Sequence, residues 1–346
     1  MADMVKISST KTNGAWAKAT AMKTAKVMTS ALAAVTVIVA TACNNQNFTK
    51  PPEAQEFGQK ITYNNQVDVL FVIDTKDAMS AVQQGLAAQM PAFINTLNST
   101  GLDYQIAVTT MDMSANGEHG RFLGSPSILN KTTPNLASVL QNRLYIGDYD
   151  WKPMTRALEA VKNGLSGLNA TSGPNAGFLR PNALLAMIYL SNRDDRSTPD
   201  DYKAFFDSIR PPLPYGDRSW VAEFMGVLPD DPNCKTAAWG YAEPGMGFID
   251  IAKSSGGATE SICDGDMSRA LTNVKKRVLE KITVFALGSK PVVGSIKVNV
   301  NGAIVPEDPA NGWTYDATTN TVHFHGTSVP DANAVIHIDF DRDGLK

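Results

Sequence analysis

The chain has 346 residues and is 43% hydrophobic, enough for a real core and for one large domain plus a small one, or two of medium size. Its formal net charge is −3, and residues 1–42 hold five Lys against one Asp, so residues 43–346 carry about −7. With that sign and no basic patch, nucleic acid is not a partner the surface would attract. Three cysteines, Cys43, Cys234 and Cys263, leave room for one disulfide and one thiol with another task.

Val27–Ala42 is an uncharged, mostly apolar run preceded by Lys23 and Lys26, the layout of an export signal, and it is short for a membrane-spanning helix. Residues before Met22 are polar and unlike a signal, so translation is expected to start at Met22. The run ends Ala40-Thr41-Ala42-Cys43, which resembles the bacterial lipobox, with Ala40 where Leu is commonest. That resemblance implies a signal segment over 1–42 and a mature chain that begins at a lipid-bearing Cys43. Two or three acyl chains would hold it stably to membrane lipid. The other exported readings are an uncleaved membrane helix and an ordinary secretory signal. Asn44 after the cysteine, by the sorting rule of enterobacterial lipoproteins, implies the outer membrane. Residues 43–65, polar with Pro51-Pro52, read as the lipidated start and a tether.

Val67–Ile73 is a nearly continuous apolar, β-branched run, expected as a central strand covered on both faces. A helical pattern follows from Met79 to Leu97, with Pro91 bending or dividing it. Next come a strand at Tyr104–Thr110, helices at Leu136–Leu144 and Met154–Leu168, a short helix from Pro181 and a buried strand at Leu184–Leu190. Helices at Tyr202–Ile209 and Met267–Glu280 and a strand at Ile282–Leu287 complete the series. Strands alternating with helices at this spacing predict an α/β, doubly wound, mostly parallel sheet.

VDVLFVIDTKDAMS resembles the opening of a von Willebrand factor A-type (VWFA) domain, and Thr100–Asp112, Asn175–Ser197 and Ser261–Ser268 extend the likeness to a bacterial lipoprotein subgroup with such domains. The resemblance implies a domain over 66–288 and a divalent-metal adhesion site at the carboxyl end of the sheet. There Asp-x-Ser-x-Ser, a middle-loop Thr and a third-strand Asp would hold Mg²⁺ or Mn²⁺, and a ligand carboxylate would complete the shell. This sequence departs from the pattern. Asp74 takes the first position, but Lys76 and Ala78 stand where the hydroxyls belong, and Asn192 replaces the third-strand Asp. The middle-loop position falls within Trp151–Thr155, at Lys152 or Thr155. Two readings of this degenerate site compete. In one, Lys76 pairs with Asp74 or Asp194 and replaces the metal. In the other, Asp74, Asp77, Asp194 and Asp195 build a shifted site for a divalent cation, Mg or Ca.

Cys234 and Cys263 bracket a polar, Gly-rich stretch that a disulfide would restrain, expected as a closed insertion in the domain. Trp220, Trp239 and Tyr241 lie on or beside it, as a recognition surface or as packing. His323 and His325 share one strand face without further ligands, weak as a zinc site. Residues 289–346 read as a small all-β module with a turn at Asn301-Gly302; Asn311-Gly312-Trp313-Thr314-Tyr315 and Val329-Pro330 resemble the end of the same lipoproteins. Asp339, Asp341 and Asp343 have calcium-like spacing without the usual helix context. No nucleophile-base set or phosphate loop is present.

The expectation is therefore a non-catalytic cell-envelope lipoprotein that binds a protein or surface ligand, with no cofactor required. A structural envelope component and, last, a hydrolase using the acidic cluster are the alternatives. Cells fed an alkyne analogue of palmitate should label the chain. Cys43→Ala should abolish the label and release the protein from the membrane fraction.

Overall fold

The computed structural model describes residues 53–55, 66–76, 78–99, 101–148, 155–198, 200–212, 217–235, 243–263, 265–330 and 334–344. Met22, the Val27–Ala42 run, Cys43, Asp77, Lys152, Trp239 and Tyr241 lie outside them.

Strand β1 (Glu53–Gln55) is followed by β2 (Gln66–Ile73), whose residues from Val67 onward are all buried. Its side chains alternate between two separate cores. Val67, Val69, Phe71 and Ile73 face one core, and Leu70 and Val72 the other. The Met79–Leu97 pattern is two helices, α1 (Met79–Ala88) and α2 (Met90–Ser99). Pro91 sits in the first turn of α2, where its missing N–H costs nothing, so the division falls just before it. Strand β3 (Asp103–Thr110) pairs parallel with β2, and the short β4 (Leu129–Asn130) pairs antiparallel at the edge. Helices α3 (Leu136–Leu144), α4 (Ala157–Gly164) and α5 (Gly167–Thr171) precede β5 (Leu184–Ser191), buried along its whole length and parallel to β2 on the side opposite β3. Pro181 lies in a turn rather than opening a helix.

Helix α6 (Tyr202–Ile209) leads to β6 (Trp220–Gly226), the short α7 (Pro232–Lys235), α8 (Met246–Ser255), β7 (Thr259–Ser261) and α9 (Met267–Ile282). The sheet order is β4-β3-β2-β5-β6-β7, and all its pairs but the β4 edge are parallel. Apolar residues of α1, α2, α3 and α9 cover one face, and those of α4, α6 and α8 the other. This is the α/β doubly wound layout that the alternation of strands and helices predicts.

One open reading closes and one expectation changes here. Trp220 takes the packing alternative: it opens β6, is fully buried, meets the Phe206 ring at a tilt of 55° and donates its indole N–H to Asp207 at 2.8 Å. The stretch between Cys234 and Cys263 is not a loop grafted onto the sheet. It contains α8, with Phe248, Ile249, Ile251 and Ala252 buried, and β7, so it is the sheet's own crossover from β6. The disulfide Cys234–Cys263 joins the segments after β6 and β7, with Cα atoms 4.9 Å apart.

The chain end forms two antiparallel sheets around a core that includes Phe285, Val298, Trp313, Phe324, Ile338 and Phe340. Strand β8 (Val284–Ala286), expected in the parallel sheet, pairs instead with β12 (Thr321–Phe324), which also pairs with β11 (Trp313–Asp316). The other sheet joins β9 (Lys297–Val300), β10 (Ala303–Val305) and β13 (Ile336–Phe340). Strand β1 adds to β13, so part of the stretch read as tether is built into this module. His323 and His325 each meet a threonine hydroxyl at 2.7 Å, Thr321 and Thr314 respectively.

Glu223, in mid-β6, is buried on the sheet. One carboxyl oxygen accepts from Ala258 N–H at 2.5 Å, and the other has no partner among the described residues. Burial pushes its pKa from 4.5 up to about 8. Between those values the fold holds a proton that the unfolded chain has released. The stability from this group is therefore complete below pH 4.5 and lost as pH rises through about 8. Glu223→Gln, which mimics the protonated acid, should remove this loss. Thermal melts from pH 5 to 9 should show the variant gaining on the parent by a few kcal/mol toward alkaline pH, at about 1.4 kcal/mol for each tenfold change in proton affinity between folded and unfolded chain.

Candidate functional site

In this sheet the chain leaves β2 first toward β3 and later returns on the other side as β5. The carboxyl end of β2 is thus the topological switch point, where open α/β sheets bind their ligands. Asp74 stands there, 1% exposed, the first residue after the strand. Burial of a carboxylate demands partners, and several converge. Oδ1 accepts from Lys76 N–H at 2.9 Å and from the Thr155 hydroxyl at 3.5 Å. Oδ2 accepts from the Ser191 hydroxyl at 2.6 Å and lies 3.9 Å from the Arg193 Nε. Burial raises the Asp74 pKa, and Ser191, the Lys76 N–H and the charges of Arg193 and Lys76 pull it back in part.

Gln83 on α1 fixes the floor of this site. Its amide nitrogen donates to the Asp74 carbonyl at 2.8 Å and to Gly147 O at 3.3 Å; its oxygen accepts from Ile146 N–H at 2.9 Å and Gly147 N–H at 2.8 Å. One buried side chain thus ties the end of β2, the first turns of α1 and the loop after α3. Helix α1 has no side-chain cap of its own. Asp148 from that loop accepts from Ser80 N–H at 3.0 Å instead.

Of the two middle-loop candidates, Thr155 turns its hydroxyl to Asp74, and Lys152 lies outside the described residues. The structure corrects the role expected of Lys76. That residue reaches Asp74 through its backbone N–H, and among the described residues the cation within ion-pair distance of Asp74 is Arg193. The Arg193 Nε donates to Asn192 Oδ1 at 3.1 Å, and Asn192 is 1% exposed.

Asp194 and Asp195 do not join Asp74. Asp194 Oδ1 accepts from Gly247 N–H at 2.7 Å, in the first turn of α8. Asp195 Oδ1 accepts from Ala157 N–H at 2.6 Å and Leu158 N–H at 3.4 Å, and its Oδ2 from Ser197 N–H at 3.1 Å. Both carboxylates serve helix starts, where free N–H groups and the helix dipole favour negative charge. Asp112, at the end of β3, holds Ser114 through its N–H and hydroxyl. Asp77 lies outside the described residues.

A divalent cation of the Mg²⁺ or Ca²⁺ kind takes six or more oxygens, carboxylates prominent among them. The described donors at the switch point are one carboxylate, two hydroxyls already bonded to it, and an amide oxygen bonded to a guanidinium. The one orphaned oxygen beside them is the neutral Thr75 hydroxyl, buried and without a partner among the described residues. Arg193 and Lys76 bring two positive charges to a single Asp74. Among the described residues the donor set does not fit a divalent ion, and Asp77 lies outside them. Among the described His, Cys, Asp and Glu side chains, the only three within reach of one ion are Asp231, Cys234 and Cys263, and both cysteines are in the disulfide. Asp339, Asp341 and Asp343 form no such set.

Sequence reasoning missed Gln83, Ser191 and Arg193. Ser191-Asn192-Arg193 directly follows the apolar run of β5, and that position was the available signal.

No family model matches the chain, and no curated protein does. Solved structures similar to it include a von Willebrand factor type A protein from Catenulispora acidiphila, 14% identical with a TM-score of 0.37, covering 80% of this chain and 58% of that one. The pilus adhesin SpaC from Lactobacillus rhamnosus GG, in its open conformation, is 12% identical with a TM-score of 0.37, over 81% of this chain and 40% of the adhesin. The pilus adhesin RrgA from Streptococcus pneumoniae is 8% identical with a TM-score of 0.32, over 84% and 58%. The chain thus spans between 40% and 58% of the length of these proteins. The fold class, a mostly parallel α/β sheet with an antiparallel β module, stands on the strand order itself.

Gln83→Leu keeps the volume and strands four backbone groups around Asp74. At about 1–3 kcal/mol for each buried polar group left unpaired, partly relieved by water, the loss should reach roughly 2–4 kcal/mol. Urea unfolding of the variant against the parent measures it.

Proposed function

We propose that this chain is a non-catalytic binding protein of the bacterial cell envelope. In this reading it is anchored through acylated Cys43 at the outer membrane and presents the carboxyl edge of its parallel sheet to a protein or surface ligand. The observation that carries the reading is the state of the switch point. The described carboxylates there are engaged in holding a rigid rim, and among the described residues no side chain is poised as nucleophile or base. Asp74 is buried and bonded. Asp194 and Asp195 hold helix starts, and Glu243 receives Arg196. A rim whose groups are locked by one another suits recognition, which needs fixed geometry, better than proton transfer, which needs a group free to exchange. The binding role is proposed to need no metal. Among the described residues no helix is long and apolar enough to cross a membrane.

The test uses a photo-crosslinking amino acid placed at Arg196, whose side chain is 61% exposed on the rim, or at Ile304, 83% exposed on the β module. Irradiation of intact cells should give a discrete crosslinked species from the Arg196 position alone, unchanged by EDTA. Equal patterns from both positions, or none from Arg196, would overturn the proposal.

A further inference from the structure

The β module hangs from the amino edge of the parallel sheet, opposite the switch point. Helix α9 starts after β7, at the carboxyl edge, and runs back along the sheet. Lys281 in its last turn pairs with Asp217, just before β6, at 3.5 Å. Strand β8 begins two residues after α9 ends, so the module continues from that edge. Strand β1 belongs to the same module and precedes β2, so the chain comes to the parallel sheet by way of the module. The length of β2 alone, about 26 Å for its eight residues, separates the amino edge from the rim.

The chain enters the module beside an apolar turn. Glu53 is paired with Phe340, and on the other side of that strand the Val292 N–H donates to the Asp341 carbonyl at 2.7 Å. Glu53 and Val292 therefore flank the same step of β13, two strand spacings or about 10 Å apart. Ser295 pins the turn. Its N–H and hydroxyl both donate to the Val292 carbonyl, at 3.0 and 2.7 Å, and its Oγ accepts from Asp341 N–H at 3.0 Å. The turn displays Val292, 43% exposed, and Val293, at 86% the most exposed large apolar side chain among the described residues. Around it Lys290, Lys297 and Arg342 stand against Asp339, Asp341 and Asp343, so the described charges balance. Ile304 and Val335, also exposed, lie at the far end of the same sheet, by the Asn301 turn.

We infer that the Val292–Val293 turn is a membrane contact, which seats the β module on the lipid bilayer that holds Cys43 and leaves the carboxyl rim facing away from it. The inference rests on the reading of Cys43 as the acylated anchor. Nine residues, 44–52, separate Cys43 from Glu53. At no more than about 3.6 Å per residue, the two Cα atoms lie within roughly 36 Å of each other whatever path the chain takes. The bilayer surface is therefore close to this turn. Two valines are too small a patch to hold a free protein partner. They suffice for a surface to which the chain is already tied, because tethering turns a weak contact into a local one and apolar burial adds to the acyl anchor. With charges balanced around the turn, a neutral lipid interface is enough and anionic lipid is not needed.

The test reconstitutes the full acylated chain in phosphatidylcholine vesicles, with and without a lipid that carries a nitroxide at headgroup depth. A thiol introduced by Lys290→Cys, beside the turn, or by Arg196→Cys, on the rim, carries an environment-sensitive fluorophore. It is the one free thiol, since Cys234 and Cys263 are bonded to each other and Cys43 is acylated in this reading. The Lys290 probe should shift to the blue and lose emission to the nitroxide lipid. The Arg196 probe should keep the emission it has in water. Val292→Asp together with Val293→Asp should cancel the shift and the quenching at Lys290 while the chain still floats with the vesicles. Val293→Asp alone serves if the double variant does not fold, and the comparison of the two probes decides in either case. Equal quenching at both probes, no quenching at Lys290, quenching untouched by the Asp substitutions, or quenching that needs added phosphatidylglycerol would each overturn the inference. Flotation and the mass of the chain separate it from the reading beneath it. An acylated chain that floats without quenching at Lys290 removes the contact and leaves the anchor standing; a chain whose mass shows no acyl group removes the anchor and the contact with it.

Discussion

A strand buried on both faces can carry charge only where arginine comes to meet it, and β2 carries a carboxylate at each end. Asp68 accepts from Arg180 Nε at 2.8 Å and Arg180 N–H at 2.9 Å, and from Arg210 at 3.1 Å. Asp74 has the Ser191 hydroxyl, the Lys76 N–H and Arg193. Arg180 precedes β5 and Arg193 follows it, so the chain around one strand answers the acids at both ends of its neighbour. A buried ion pair adds little over an apolar contact of the same size, but breaking one side leaves a stranded charge that costs about 3–5 kcal/mol. The pairs therefore specify register more than they add stability. A slip of one residue between β2 and β5 would turn every core side chain to the wrong face and pull both acids from their partners.

That fixed register sets the chemistry at the switch point. The loops leaving β2 and β5 arrive beside the starts of α1, α4 and α8, where unpaired N–H groups collect. Carboxylates at such a place have two possible employers, a metal ion or the helix ends, and here the helix ends have them. Helix α1 lacks a cap of its own and takes Asp148 from a distant loop, while Asp194 and Asp195 serve two different helices from adjacent positions. The rim is held by hydrogen bonds that span dozens of residues of sequence.

The disulfide restrains one side of this edge. The Cys234–Cys263 bond closes the crossover that carries α8, whose first turn receives Asp194. In a chain-entropy model, a loop of this length stabilises the fold by about 3–4 kcal/mol. The β module draws strands from both ends of the described chain, β1 at one and β8 to β13 at the other. The parallel-sheet domain thus lies in sequence between two parts of one antiparallel sheet.

The amino-acid sequence alone determined the elements whose pattern is local. The apolar runs of β2 and β5, the helical stripe broken before Pro91, α3, α6 and α9 could be read because burial on two faces or on one stripe imprints directly on residue order. The pairing of Cys234 with Cys263 was legible from their context. The position of the switch point was legible too, since Asp74 follows one apolar strand and Asn192 another. Tertiary structure decided the rest. Strand β6 was hidden because Glu223 interrupts its apolar run and Trp220 could be read as surface or as packing; a buried, protonation-prone carboxyl explains the one, and burial with the Asp207 contact decides the other. Strand β8 reads like any sheet strand, and its partner β12 is set by a contact across 35 residues that no local pattern encodes. Lys76 and Arg193 are equally cationic on paper. Which one faces Asp74 depends on where each turn aims its side chain, and that direction exists only once β2 and β5 lie side by side.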